Sequence, residues 1–205
     1  MLKTEKEQKA DLVMESLKNA IGYNEYRTLV ADHAANRTST GPSQTEALTN
    51  YTILSHARMK RLDKTVKISE EIEEKFKNFK GNQTWVVLTE SWCGDAAQSM
   101  PAMNRLANLA SHIDFKVVQR DENIDLMNAF LTNGSMSIPK LVVLDNEAKE
   151  VIADWGPRPS IATGMVNDYK EEHGQLTPEF KKDLQIWYNK DKSQNIIEDL
   201  AKLID

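Results

Sequence analysis

The apolar run Trp85-Val86-Val87-Leu88 leads almost directly into Trp92-Cys93-Gly94-Asp95-Ala96, and a helical pattern follows. An apolar strand, a tight turn carrying a cysteine and then a helix is the layout of a thiol site. The sulfur sits where unpaired helix N-terminal amides favour a thiolate. Dithiol sites place a second cysteine three residues on. Here that place is Ala96, and Cys93 is the only cysteine of the 205 residues, so no internal disulfide can close.

The surrounding pattern sets the fold class. Trp85 to Thr89, Asp114 to Gln119 and Lys140 to Leu144 are apolar, β-branched runs of strand length. A turn at Asp145-Asn146-Glu147 leads to Val151 to Trp155, a hairpin-like return. Gln98 to Ala110 and Ile124 to Leu131 repeat apolar residues at helical spacing. Strand, helix, strand, helix and hairpin together predict an α/β mixed sheet with helices on both faces.

Both flanks are helical in pattern. The stretch from Met1 is amphipathic, with Ala10, Val13, Met14, Leu17 and Ile21 on one stripe and Gly22 ending it. It lacks the continuous apolar core of a signal peptide. Asn24 is placed to cap a second helix. Ser43 and Glu46 have capping-box spacing before a helix whose inner stripe is Leu48, Tyr51, Ser55, Met59 and Leu62. Ser69 opens another helix, with Phe76 inward. Near the C-terminus Thr177 and Pro178 start a helix with Phe180, Leu184 and Trp187 inward, and Asp191 and Gln194 cap a last one. The expected units are a helical extension over residues 1–65 packed on a core over 66–160, then a helical extension over 161–205.

Composition closes off several function classes. A net charge of −5 argues against nucleic-acid partners, which call for a basic excess. No apolar stretch approaches the roughly 18 residues of a membrane span, so a cytoplasmic location is expected. His33, His56, His112 and His173 form no short-spaced pair with each other or with Cys93, which predicts no metal site. No other cofactor is implied.

The middle region resembles thioredoxin. The likeness rests on the strand Trp85 to Leu88, the Trp92-Cys93-Gly94 turn, Asp121-Glu122-Asn123 after the next strand, and Ser137-Ile138-Pro139 before another. More narrowly, the chain is similar to a bacterial thioredoxin-like family with Trp-Cys-Gly-Asp-Ala in place of Trp-Cys-Gly-Pro-Cys. That family also carries Ser-Ile-Pro-Lys, here Ser137 to Lys140, and Trp-Gly-Pro-Arg-Pro, here Trp155 to Pro159. The resemblance implies a cis Pro139 opposite the cysteine, Ile138 offering main-chain hydrogen bonds to a bound peptide, and Gly156 near the groove. It puts thioredoxin's buried aspartate at Val87 and its lysine near Val117, so the proton relay that serves a second cysteine is absent along with that cysteine.

These residues define the candidate site. Cys93, Trp92 and Asp95 are the catalytic candidates. Glu90, Gly94, Ile138, Pro139, Gly156, Arg120 and Arg158 are the groove candidates. Helix amides stabilise a thiolate by about 0.3–1 kcal/mol. An uncompensated carboxylate at about 6 Å opposes it by roughly 3 kcal/mol at an effective dielectric near 20. The thiol is therefore expected at or above its ordinary value unless Arg120, Lys140 or Arg158 offsets Glu90 and Asp95. Arg58 to Lys64 has the pattern of a solvated helix face, and becomes a further source of offsetting charge if the N-terminal helices pack over the groove. Cys93 is expected to be exposed in its groove. Two functions stay open. One is monothiol thiol–disulfide exchange through Cys93 with protein or small-molecule thiols and disulfides, an external thiol acting as resolver. The other is a non-redox binding module for a peptide or small ligand.

Overall fold

Thr4 opens the first helix, α1 (Glu5–Ser16), with a reciprocal cap: its hydroxyl accepts from the Glu7 amide and its own amide donates to the Glu7 carboxylate at 2.7 Å. The computed structural model describes residues 3–204. Met1 and Leu2, where the amphipathic stretch begins in sequence, and Asp205 lie outside the described residues. Helical spacing runs on to Ile21, yet the chain leaves the helix after Ser16 and makes a two-residue strand, β1 (Ile21–Gly22). Helix α2 (Tyr23–Asn36) is capped at Gly22, whose N–H donates to Glu25 at 2.8 Å, rather than at Asn24. Helix α3 (Glu46–Thr65) is capped by Thr45, not Ser43, with its hydroxyl accepting from the Leu48 amide at 3.2 Å. Helix α4 (Glu70–Asn78) starts at the Ser69 cap.

The sheet-forming segments follow. They are β2 (Gln83–Thr89), α5 (Gly94–Ala107), β3 (Ile113–Gln119), α6 (Ile124–Ala129), β4 (Lys140–Asp145) and β5 (Glu150–Trp155). Helices α7 (Ser160–His173), α8 (Pro178–Asp191) and α9 (Gln194–Ala201) complete the chain. The apolar pattern starts the helix after the cysteine at Gln98; the structure starts it at Gly94, which makes Cys93 itself the cap.

The strands form one mixed sheet in the order β1-β3-β2-β4-β5. Strands β2 and β3 are parallel, joined by the α5 crossover, and the other pairs are antiparallel. Strand β2 is central and wholly buried, which is why it carries an unbroken apolar run instead of alternation. Helices cover both faces, α1 packing with α6 and against β4 and β5, and α3 and α9 packing on α5. The core joins Trp85 to Leu88 with Val13, Tyr26, Met59 and Phe76 from the N-terminal helices and Ile196, Ile197 and Leu200 from α9. A second cluster binds α7 to α8 through Ala162, Val166, Phe180, Leu184 and Tyr188. Alongside Phe180 the inward aromatic of α8 is Tyr188, and Trp187, expected inward, is only partly buried beside it.

Candidate active site

Cys93 occupies the N-cap of α5, at the C-terminal end of the central strand, because the chain must turn sharply there to cross onto the sheet face. Its sulfur accepts from the Ala96 amide at 3.4 Å and donates to the Ile138 carbonyl at 3.3 Å. The side chain is 6% exposed, where an exposed thiol was expected. Burial, and next the negative field of Asp95, push the thiol up to about 12; the Ala96 and Asp95 amides and Arg158 pull the other way and lose. The resting site therefore holds a neutral thiol.

Asp95 lies in the first turn of α5. Arg158 Nη2 is 2.7 Å from its Oδ2, and the Tyr188 hydroxyl donates to its Oδ1 at 3.1 Å. Burial raises the Asp95 pKa; Arg158, Tyr188 and Arg58 counter it. Of the expected offsetting charges, only Arg158 reaches Asp95. Arg120 stacks over the Trp92 ring at 5.0 Å and pairs with Asp121 at 2.7 Å. Lys140 is buried and bonded to Asp154.

Glu90 takes a different surrounding from Cys93. Its carboxylate accepts from the Thr40 hydroxyl and from the Asp121 amide at 2.9 Å, and its carbonyl accepts from the Tyr26 hydroxyl at 3.1 Å. Burial raises its pKa against those donors. The link between Glu90 and the cysteine is main-chain: the Cys93 amide donates to the Glu90 carbonyl at 3.0 Å. Glu90 thus ties the α2–α3 connection to the end of β2 and holds the turn.

The cis Ile138–Pro139 bond faces Cys93 through the Ile138 carbonyl. Gly156 has φ +124, and a Cβ there would lie 2.2 Å from the Pro139 carbonyl oxygen. Only glycine allows this approach of β5 to the Pro139 loop. A groove of about 460 Å³ opens over Cys93, lined by Trp92, Gly94, Asp95, Ile138 and Arg158 from the core. Its other walls are helices from outside that core. Leu48, Tyr51 and Arg58 come from α3, and Lys181, Leu184 and Tyr188 from α8. The Arg58 to Lys64 segment thus divides: Lys60 and Arg61 are solvated, while Arg58 reaches Gly94, with Nη1 3.1 Å from where its Cβ would be. The signal was present in spacing, since Arg58 follows Tyr51 by seven residues on the same stripe, and Tyr188 follows Lys181 by seven.

The thioredoxin profile matches residues 41–170, more than half of the sequence. The chain belongs to the thioredoxin family. No curated protein matches it. Among solved structures it is similar to a protein of unknown function from Pseudomonas aeruginosa, with a TM-score of 0.57 and 16% identity over 74% of this chain and 84% of that one. It is also similar to an HIV epitope scaffold, with a TM-score of 0.57 and 15% identity over 90% of this chain and 98% of the other. At these identities the likeness is one of fold. Against the thioredoxin pattern, Val87 and Val117 pair in register on β2 and β3, and both are buried. Both belong to the apolar core, at or near where the resemblance puts a proton relay. Among the described residues no helix is long and apolar enough to cross a membrane.

Proposed function

We propose that this thioredoxin-family chain is a binding module: the groove above Cys93 holds a small molecule, and the thiol serves as a neutral hydrogen-bonding floor. The observation that carries the reading is the Cys93–Ile138 hydrogen bond of a buried thiol pushed up to about 12. At that value the thiolate is on the order of one part in 10⁵ at pH 7, and thiolate is the nucleophile. A groove of about 460 Å³ walled by α3 and α8 suits a small ligand.

Monothiol exchange is the second reading, favoured by the seat of Cys93 at the N-cap of α5, where the Ala96 amide already faces the sulfur. In it the Cys93 thiolate attacks one sulfur of an external disulfide, forming a mixed disulfide and expelling one thiolate. A second external thiol then attacks, restores Cys93 and leaves as the new disulfide, because Ala96 offers no internal resolver.

Alkylation rates of Cys93 between pH 6 and 11, with mass spectrometry after incubation in excess small disulfide, separate the two. Binding without exchange predicts slow alkylation at pH 8 and no adduct. A mixed disulfide formed within minutes at pH 7.5 would establish exchange and remove the binding-only reading.

A further inference from the structure

Three cations and one acid face the groove over Cys93, Arg58, Arg158 and Lys181 against Asp95, in a chain whose net charge is −5. Asp95 is committed to Arg158 and Tyr188. Arg58 therefore keeps its charge without an ion pair or a hydrogen bond among the described residues, although it is half-buried between α3 and α5. Desolvation of the guanidinium holds its pKa below the usual arginine value, with the field of Asp95 only partly opposing. An unpaired, partly desolvated cation is unfavourable unless something that visits the groove completes it.

A second group points the same way. Gln98 is 4% exposed and lines the groove, and its side-chain amide nitrogen has no hydrogen-bond partner among the described residues. Buried amide donors in folded proteins are nearly always satisfied, so an orphan in a residue that lines a groove, its nitrogen covered while the groove is empty, leaves an acceptor wanting there. Gln98 is four residues after Gly94 on α5, the same helix face, and the Arg58 guanidinium lies against Gly94. The fork of Arg58 and the amide of Gln98 are thus neighbours that both lack an acceptor. Apolar side chains complete the groove: Leu48 and Tyr51 on one wall, Leu184 on the other.

Resting on the binding reading, we infer that the groove takes a small organic carboxylate, its acid group held by Arg58 and Gln98 and its apolar part lying against Leu48, Tyr51 and Leu184. The guanidinium fork matches two coplanar oxygens, which is carboxylate geometry.

The test uses the full-length chain, 4-phenylbutyrate as the acid probe and 4-phenylbutanamide as its neutral match, with affinities from calorimetry. The acid is expected to bind at least tenfold tighter than the amide. Arg58→Gln should abolish that preference, Arg58→Lys should keep part of it, and Lys60→Gln, on the exposed side of the same helix, should leave it intact. Circular dichroism and a thermal melt of each variant establish that it is folded. Equal binding of acid and amide, or a preference that survives in folded Arg58→Gln, overturns the carboxylate assignment while the groove reading stands. Tighter binding of the matched phosphonate than of the acid overturns the carboxylate class. Absence of binding by either probe removes both the assignment and the groove reading.

Discussion

Arg158 Nη2 stands 2.7 Å from Asp95 Oδ2, and this contact sets the charge at the mouth of the thiol site. Asp95 follows burial among the causes that hold the Cys93 proton on. Asp95→Asn removes that repulsion and frees the Arg158 guanidinium beside the sulfur. The alkylation midpoint of Cys93 is expected to fall by about one pH unit or more, roughly tenfold more thiolate at neutral pH. The same substitution leaves Arg158 half-buried without its partner, so stability should drop by about 1–3 kcal/mol. An unchanged alkylation profile would mean that burial alone sets the thiol.

The raised thiol also makes stability depend on pH in a defined direction. The folded state binds the Cys93 proton more tightly than the unfolded chain, about 12 against an ordinary 9. Its contribution is fully present below pH 9 and is lost as pH rises toward 12, at roughly 1.4 kcal/mol per unit. Urea denaturation at pH 7.5 and pH 10.5 should show wild type losing about 2 kcal/mol relative to Cys93→Ala. Parallel losses in both proteins would refute a thiol buried in its neutral form.

What the sequence made legible was what local pattern decides. The apolar run of β2, the turn after it and the alternation of strands and helices follow from residue period, and they suffice for the fold. The start of helix α7 escaped because its N-cap is Pro159, which has no side-chain hydrogen bond to offer. The Asp199 carboxylate instead accepts from the Ser160 amide at 2.7 Å, and Asn195 accepts from Ile161 at 2.9 Å. A cap supplied from a helix more than thirty residues later leaves no local signature. Arg58 is a similar case. Its charge suggested solvent, and the crossing of α3 over α5, which turns it inward, is a tertiary fact. Asp95 and Arg158 were both visible as charges, but their pairing, and the turning of Arg120 toward Trp92, depend on where separate loops end.

Two glycines near the site should respond very unequally to alanine. Gly156→Ala places a methyl 2.2 Å from the Pro139 carbonyl oxygen at φ +124, so neither backbone nor side chain can yield cheaply. The expected loss is about 3 kcal/mol or more, read from denaturant midpoints. At Gly94 the added methyl meets only the flexible Arg58 Nη1 at 3.1 Å, inside a helix turn that favours alanine. Gly94→Ala should change stability by less than about 1 kcal/mol. Equal losses at the two positions would sink the close approach of β5 to the Pro139 loop as the reason for Gly156.

Thr40 is the residue that keeps Glu90 tolerable inside the protein. Its hydroxyl donates to the Glu90 carboxylate and accepts from the Ser91 amide at 2.8 Å, so Thr40→Val orphans both at nearly constant volume. The expected cost at pH 7.5 is about 2–3 kcal/mol. Burial already raises the Glu90 pKa, and the Thr40 hydrogen bond is the largest influence opposing it. A raised folded-state value means that the contribution is fully present below the ordinary carboxyl value of about 4.3 and is lost as pH rises through the folded value. Losing the hydrogen bond raises that folded value further and widens the loss. Thr40→Val should therefore cost more at pH 7.5 than at pH 3, more than a unit below the ordinary carboxyl value, where little of the difference remains. Chemical denaturation of the variant and wild type at the two pH values decides it. A cost independent of pH would show that Thr40 acts on the Ser91 turn alone and that Glu90 draws its stabilisation from the Asp121 amide.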